Sequence, residues 1–377
     1  MNTAFHERIT QARELAGLSK TELADKLQVT VAAVSQWENG SKKPTAENLF
    51  SISCALKVPM PMLMNAIPTE LSVRGPVSFR ARAAAKTAAR KRQAQRLAEL
   101  VSELYIWLEK WVSFPVPSLP DVSGLQPEKA AAQCRKAWGL GDRPITKLGE
   151  LLESKGIRIC AAAFGDVRFD AYSCIISGRP FQFLGIEKQD RARSRFDAAH
   201  ELGHLIMHQH YSDDEMEANK ELLEGEADAF SSAFLLPAET FSREVVDTRL
   251  EGFKMLKPKW GVSIQAMVRR ARDLNLITQE TYERHYRNMS AAGWRRAQCE
   301  PLDELVPTVN RTLGKRSLEL LTSTGNMKPW EIPIDLPLPG QVFQSVFDTD
   351  LSAMVPDELN KVVVLSEFAR NKTQPGA

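Results

Sequence analysis

His200, Glu201 and His204 form the pattern H-E-x-x-H, in a stretch whose apolar residues recur at helical spacing. Two histidines four residues apart project from one face of a helix, so both imidazoles can bind one metal ion. A zinc ion with an open coordination position lowers the pKa of its water to about 7, and a neighbouring carboxylate can take the proton. The pattern therefore predicts a Zn2+ site at His200 and His204, with Glu201 as the general base.

A catalytic zinc site usually has three protein ligands, so a third must lie elsewhere in the chain. The best match is an acidic helix further along, in which Glu224 and Asp228 are four residues apart and share a face. We expect Glu224 to be the third ligand and Asp228 to fix the tautomer of a ligand histidine. Glu226 points roughly to the other side of this helix and is the alternative ligand.

His210 offers another alternative, because it lies ten residues after His200. This is the spacing of proteases with the pattern H-E-x-x-H-x-x-G-x-x-H. That pattern needs glycine at the turn that ends the helix, and Met207 stands there instead. We therefore expect His208 and His210 to cap the C-terminus of the helix.

Three further residues are candidates for roles around the zinc. Cys174 lies on a predicted hairpin beside the metal helix, and its thiolate could occupy the open position and keep the site idle. The alternative is a buried strand cysteine that behaves as a small hydrophobe. Tyr172 and Arg195 are candidates for stabilising the oxyanion that forms when the metal-bound water attacks a carbonyl group.

A few strands and many helices must position these residues. Gly156–Phe164 reads as a buried strand, and Asp170–Ile176 with Phe181–Ile186 reads as a hairpin around Gly178–Pro180. A strand edge just before the metal helix could hold an extended peptide by strand addition. Most other segments have helical periodicity, so we predict a mainly α chain with a small sheet (α+β).

Composition limits the classes of function. The 377 residues are 43% hydrophobic and 25% charged, with a net charge of +2, so nucleic-acid binding would depend on local patches. The sequence has neither a run of 18 apolar residues nor a signal peptide, so no membrane partner is expected. The five cysteines are scattered without C-x-x-C spacing, which favours the reducing cytoplasm.

The N-terminal 66 residues read as five short helices. Ser19 caps Lys20–Leu27, with Glu22 at the capping-box position, and Thr30 caps Val31–Asn39. The two helices have the length of a helix-turn-helix. The segment resembles the Xre/Cro family of phage-repressor-like DNA-binding domains, and the motifs that carry the resemblance are Leu18–Ala24, Val34–Gly40 and Lys43–Thr45. The resemblance implies that Arg13 pairs with Glu38. This sequence departs from the family pattern at Gln28, in the turn between the helices, where the family commonly has glycine.

The same resemblance places the recognition helix. Its base-facing positions would be Val31, Ala32 and Gln36, of which the first two can only touch thymine methyl groups. The expected phosphate contacts are Lys20, Asn39, Lys42 and Lys43. A run of basic residues from Arg80 to Arg96 could add affinity without sequence preference. We therefore expect weakly specific DNA binding, and the alternative is a docking module for another protein.

A second resemblance covers roughly residues 126 to 300. The blocks that carry it are Arg195–Asp197 before the H-E-x-x-H pattern, Glu224–Pro237, Lys259–Ser263 and Gly293–Arg296. They are similar to the ImmA/IrrE metallopeptidases, which implies a zincin-like fold and cleavage of a helix-turn-helix repressor. The whole arrangement is similar to the proteases encoded with CBASS-type anti-phage operons, which implies DNA-damage signalling and stimulation by single-stranded DNA.

These interpretations divide the chain into four parts. We predict a helix-turn-helix domain at 1–66, a basic helical linker at 67–125, a zinc metallopeptidase domain at 126–300 and a C-terminal segment of unknown role at 301–377. In that last segment Ile332–Pro339 reads as extended. The expected function is repressor cleavage controlled by DNA, and the alternative is a DNA-binding regulator with a non-proteolytic, metal- or effector-sensing domain. A homodimer is compatible with either.

Overall fold

The computed structural model describes residues 4–68, 71, 73–74, 87–162, 171–185, 190–296, 299–325 and 327–355. Helices predominate in these ranges and surround one small sheet, which confirms the predicted α+β class. Two buried hydrophobic clusters lie on the two faces of the sheet. In the described part of the chain, no helix is long and apolar enough to cross a membrane.

The first five helices form the predicted helix-turn-helix unit. They are α1 (Ala4–Leu15), α2 (Lys20–Leu27), α3 (Val31–Glu38), α4 (Ala46–Leu56) and α5 (Met60–Met64). Ser19 and Glu22 form the predicted capping box, and Gln28 adopts the left-handed conformation with φ of 54°. Arg13 donates to both carboxylate oxygens of Glu38, at 2.5 and 3.0 Å, so the implied pair is present.

The long helix α6 (Thr87–Leu108) lies in the segment predicted as a linker. Its apolar face belongs to one buried cluster that also includes the helix-turn-helix core and one face of the sheet. Buried polar contacts fix α6 to α1: Arg8 bonds Glu103 at 2.8 and 2.9 Å, and Gln11 bonds Glu99 at 3.0 Å. The segment therefore joins the two regions through a shared core. Residues 80–86 of the basic run lie outside the described residues.

The sheet consists of β1 (Val73–Arg74), β2 (Arg158–Ala162), β3 (Ala171–Ile176) and β4 (Arg179–Gly185), in the order β1-β3-β4-β2. Strands β3 and β4 form the predicted antiparallel hairpin, and β2 is parallel to β4. The hairpin turn is Ser177–Gly178, with φ of 50° and 77°, as a two-residue turn of this kind requires. Pro180, which we placed in the turn, already lies in β4.

The expected position of the open strand edge is wrong. Strand β4 directly precedes the metal helix, yet it pairs with β3 on one side and β2 on the other. The edge strands of the described sheet are β1 and β2, and β1 pairs with β3 at Ile175 and Ile176. A parallel partner for β4 comes from the earlier strand β2, which the hairpin pattern alone does not reveal.

The second buried cluster holds the remaining central helices. They are α7 (Pro127–Ala137), α8 (Leu148–Ser154), α9 (Arg191–Met207), α11 (Lys220–Leu235), α12 (Ala238–Glu244), α13 (Leu250–Trp260), α14 (Ile264–Asp273) and α15 (Gln279–Ala291). The short helix α10 (Asp213–Ala218) contacts α11 outside this cluster. Helix α9 packs against β3 and β4 on one side and against α11 on the other. This layering places α9 at the centre of the cluster.

The C-terminal helices cover the face of the sheet opposite α9. They are α16 (Leu313–Ser323), α17 (Ile332–Asp335) and α18 (Gly340–Phe347). Helix α18 packs on α6 and β2, and Ser345 donates to the carbonyl of Ala161. The prediction that Ile332–Pro339 is extended is wrong for its first half, because Ile332–Asp335 is helical. Pro333 is compatible with this helix since it stands in the first turn, where proline is tolerated.

Candidate metal centre and nucleic-acid interface

Helix α9 carries His200, Glu201 and His204 into the protein interior. Asp190 caps its N-terminus and accepts a hydrogen bond from the Arg193 amide at 2.9 Å. Every residue from Ala198 to Met207 is buried. An added Cβ at Gly203 would lie 3.1 Å from the ring of Phe230 in α11. The glycine therefore lets α11, with its carboxylates, approach α9 closely.

Three predicted ligands meet between α9 and α11. His200 Nε2 and His204 Nε2 are 3.0 Å apart, and each is 3.5 Å from an oxygen of Glu224. A tetrahedral ion with bonds of about 2.0 to 2.1 Å holds its ligand atoms about 3.3 to 3.4 Å apart. Two imidazoles and one carboxylate are also the ligand types of catalytic zinc sites. The residues therefore fit a zinc ion.

The charge of Glu224 suits this position. Burial raises the pKa of its carboxyl, but the hydrogen-bonding and charge interactions with the neighbouring imidazoles of His200 and His204 outweigh burial, so the net pKa is lowered. The carboxylate is therefore ionised at neutral pH, as metal ligation requires.

Asp228 lies behind the first histidine, as predicted for a carboxylate that fixes a tautomer. Its Oδ1 is 2.9 Å from His200 Nδ1, and its Oδ2 is 3.4 Å from Arg269 Nη1. A proton on Nδ1 leaves the lone pair of Nε2 directed at the cluster. Asp228 can thus hold His200 in the tautomer that binds a metal.

His208 and Glu226 contact each other beside the predicted ligands. His208 occupies the C-cap position of α9, but its side chain is 1% exposed, with Nδ1 2.9 Å from His204 Nδ1. Burial, together with the neighbouring His204, lowers the pKa of His208 to about 4, so His208 caps the helix as a neutral imidazole at neutral pH. Glu226 accepts a hydrogen bond from His208 Nε2 at 3.1 Å. Glu224 instead lies with His200 and His204 in the group of three predicted ligands, which we call the ligand triangle. His210 is exposed and contacts Tyr211.

Glu201 is held by the sheet. Ser173 in β3 donates from Oγ to Glu201 Oε2 at 2.7 Å, and Glu201 is 2% exposed. Gln182, the cross-strand partner of Ser173, donates to the carbonyl of Ala198 at 3.2 Å. The contact from Gln182 holds the backbone of α9 against the sheet. The contact from Ser173 orients the Glu201 carboxylate.

The structure does not bring Tyr172 and Cys174 to the metal centre. Successive strand residues point to opposite faces, and Ser173 between them faces α9. Tyr172 donates from its hydroxyl to the carbonyl of Ala94 in α6 at 3.0 Å, and Cys174 is buried in the same cluster. Burial raises the pKa of the Cys174 thiol, so it stays protonated. The expected oxyanion and inhibitory roles are therefore corrected to packing roles.

Arg195 is likewise a structural residue. It is fully buried, and its guanidinium donates to the carbonyls of Gly261, Thr146 and Ile145. All three acceptors belong to the backbone of other segments, so Arg195 ties α9 to its surroundings. The expected assistance to the oxyanion is corrected accordingly.

The helix-turn-helix surface exposes most of the predicted DNA contacts. Val31 is 41% exposed, and the other exposed positions are Ala32, Gln36, Asn39, Lys42 and Lys43. The Lys20 side chain is partly covered, because its ammonium lies 3.6 Å from Glu38. A phosphate there would compete with this carboxylate.

Comparison with known proteins identifies both regions. Residues 9–63 match the family described as Helix-turn-helix, and residues 152–272 match the IrrE N-terminal-like domain of the Peptidase_M78 family. The chain combines a helix-turn-helix domain with an IrrE-like metallopeptidase domain. A 56-residue stretch is 38% identical to the HTH-type transcriptional regulator DicA of Escherichia coli (strain K12). It covers 15% of this chain and 42% of that relative, so the likeness is confined to one domain.

Two features of the IrrE-like domain escaped prediction from the sequence. His208 continues the four-residue spacing of His200 and His204, and this periodicity could have indicated a third histidine on the same face. Ser173 gave no such signal, because its contact with Glu201 depends on how the strand packs against the helix.

Proposed function

We propose that the chain is a zinc endopeptidase that cleaves a helix-turn-helix repressor and so derepresses stress or anti-phage defence genes. The observation that carries this proposal is the triangle of His200, His204 and Glu224 beside the buried carboxylate of Glu201. A purely structural zinc would not need an adjacent base. The IrrE-like domain supports the same class of enzyme.

Each residue has one task in this mechanism. His200, His204 and Glu224 would hold the zinc, which supplies Lewis acidity toward the scissile carbonyl and toward water. The Glu201 carboxylate accepts the proton of the attacking water and then passes it to the leaving amine. Ser173 keeps that carboxylate oriented through its bond to Oε2. Asp228 holds His200 in place.

The proposed substrate and signal rest on the pairing of domains together with a family resemblance. A DicA-like helix-turn-helix in the same chain supports a role in transcriptional control. We infer that a separate repressor is the substrate and that DNA, single-stranded or weakly specific duplex, stimulates its cleavage. The resemblance to proteases of anti-phage operons is the basis for both inferences.

The test uses the purified chain and candidate helix-turn-helix repressors from the same genome, with and without DNA, followed by mass spectrometry of the products. We expect cleavage at one position, its loss after treatment with a zinc chelator, and its return when zinc is added back. A repressor that stays whole with zinc-loaded protein under every DNA condition would contradict the proposal. It would favour the alternative, a DNA-binding regulator whose metal domain senses an effector without proteolysis.

DNA binding by the helix-turn-helix domain is expected to depend mainly on phosphate contacts. Val31 and Ala32 cannot hydrogen-bond a base edge, so Lys42 and Lys43 should contribute affinity without sequence preference. The double change Lys42→Glu and Lys43→Glu should weaken binding to all duplexes alike. It should also reduce the slope of log affinity against log salt by about 0.9 for each phosphate that the protein no longer neutralises. Fluorescence anisotropy over a salt series measures both effects.

The matched control for this experiment is Lys129→Glu with Lys136→Glu, which makes the same charge change on the exposed face of α7. It should leave the affinity and the slope close to those of the wild type. A strong preference for one operator that persists in raised salt would contradict the expectation.

A further inference from the structure

His208 and Glu226 form a chain of hydrogen-bonding contacts that begins at His204 and leads away from the ligand triangle. His208 lies one turn after His204 on α9, and its two ring nitrogens contact different partners. Nδ1 is 2.9 Å from His204 Nδ1, and Nε2 is 3.1 Å from Glu226 Oε2. His208 is 1% exposed, while the side chain of Glu226 is 28% exposed and reaches toward the surface.

Only one arrangement of protons suits a metal at the triangle. His204 Nε2 is one of the three ligand atoms, so it must present a lone pair, and the proton of neutral His204 must sit on Nδ1. That N–H donates to His208 Nδ1, which must then be an acceptor. The remaining His208 proton lies on Nε2 and donates to Glu226. In this arrangement each hydrogen-bond donor faces an acceptor.

The reverse direction would place a proton on His204 Nε2, where it would point at His200 and Glu224 and block ligation. Glu226 prevents this reversal, because a carboxylate accepts and cannot donate. The arrangement parallels the first ligand, where Asp228 bonds His200 Nδ1 directly. Both metal histidines are therefore supported by a carboxylate, and the second support passes through His208.

We infer that His208 and Glu226 are a positioning pair that sets the tautomer and ring orientation of His204 and thereby the affinity of the centre for zinc. The inference rests on the proposed zinc site. It assigns Glu226 a role behind the ligand, distinct from direct ligation. Outer residues that orient a metal-bound histidine typically change metal affinity by about 10- to 100-fold when they are replaced.

The experiment measures zinc affinity by competition with a chromogenic chelator, which needs no peptidase assay. His208→Phe removes both ring nitrogens and should weaken binding by about 10- to 100-fold. His208→Asn keeps an acceptor near the position of Nδ1, so it should bind more tightly than His208→Phe. A role in packing alone predicts the opposite order, because phenylalanine fills the buried space and asparagine leaves a void with a buried amide.

Two further variants separate support from direct ligation. Glu226→Ala should weaken zinc binding less than Glu224→Ala does, and an equal loss would overturn the inference by making Glu226 a ligand. His210→Ala is the control, because His210 is exposed two residues further on and should keep wild-type affinity. Circular dichroism of the zinc-free proteins checks that each variant folds.

Failure of this inference differs from failure of the proposed function. Wild-type affinity in both His208→Phe and Glu226→Ala would overturn the positioning pair while leaving the zinc site in place. A wild-type chain without affinity for zinc would overturn the proposed function, and the inference with it. Cobalt in place of zinc gives a second readout, since its visible spectrum should change in His208→Phe if the His204 ring is reoriented.

Discussion

Replacement of Glu201 by glutamine is expected to lower the rate of repressor cleavage by about 10²- to 10⁴-fold, the usual contribution of a general acid–base. The amide has nearly the same shape as the carboxylate, and its oxygen can still accept the hydrogen bond from Ser173. It cannot take a proton from water, however. Zinc content should therefore stay at the wild-type level, and initial rates with mass-spectrometric metal analysis measure the two effects separately.

The control for Glu201→Gln is Glu221→Gln, the same change at an exposed position in the first turn of α11. It should leave both rate and zinc content unaltered. Cleavage at the wild-type rate by the Glu201→Gln variant would remove Glu201 from the mechanism. Loss of zinc together with activity would show instead that Glu201 supports the fold of the centre.

The parts of the protein that could be predicted from sequence are those determined by short stretches of chain. The capping box of α2 and the four-residue spacing of His200 and His204 each lie within one or two helical turns. The Asp228 contact was predictable for the same reason, because Glu224 and Asp228 are one turn apart on α11. Local geometry places Glu224 and Asp228 on one face of α11, whereas their approach to His200 also depends on the packing of α11 against α9.

The face of a buried strand could not be predicted in this way. Strand β3 reads Ala-Tyr-Ser-Cys-Ile-Ile, with apolar residues on both faces, and it is covered by α9 on one side and α6 on the other. An alternating pattern appears only when one face is polar. Nothing in the local sequence therefore indicates that Ser173 faces Glu201 while Cys174 faces away.

The role of α6 escaped prediction because it depends on contacts distant in sequence. An amphipathic pattern indicates that one face of a helix is buried, but it does not indicate which element covers that face. In the structure α6 lies between α1 of the helix-turn-helix domain and β3. Tyr172 in β3 bonds α6, and the next residue, Ser173, bonds the carboxylate of Glu201. A continuous packed route thus connects the helix-turn-helix domain to Glu201, and its first contact, between α1 and α6, can be tested.

Replacement of Glu103 by alanine is expected to destabilise the docking of the helix-turn-helix domain by about 3 to 5 kcal/mol, the usual cost of removing one partner of a buried ion pair. The side chains of Arg8 and Glu103 are 1% and 9% exposed, so the guanidinium would lose its charged partner while remaining buried. Hydrogen exchange should then rise in α1 and in the facing part of α6. The control is Glu239→Ala, which breaks a pair with Arg243 whose side chains are 77% and 68% exposed. Exposed pairs contribute about 0 to 1 kcal/mol, so comparable exchange in the two variants would mean that α6 does not anchor the domain.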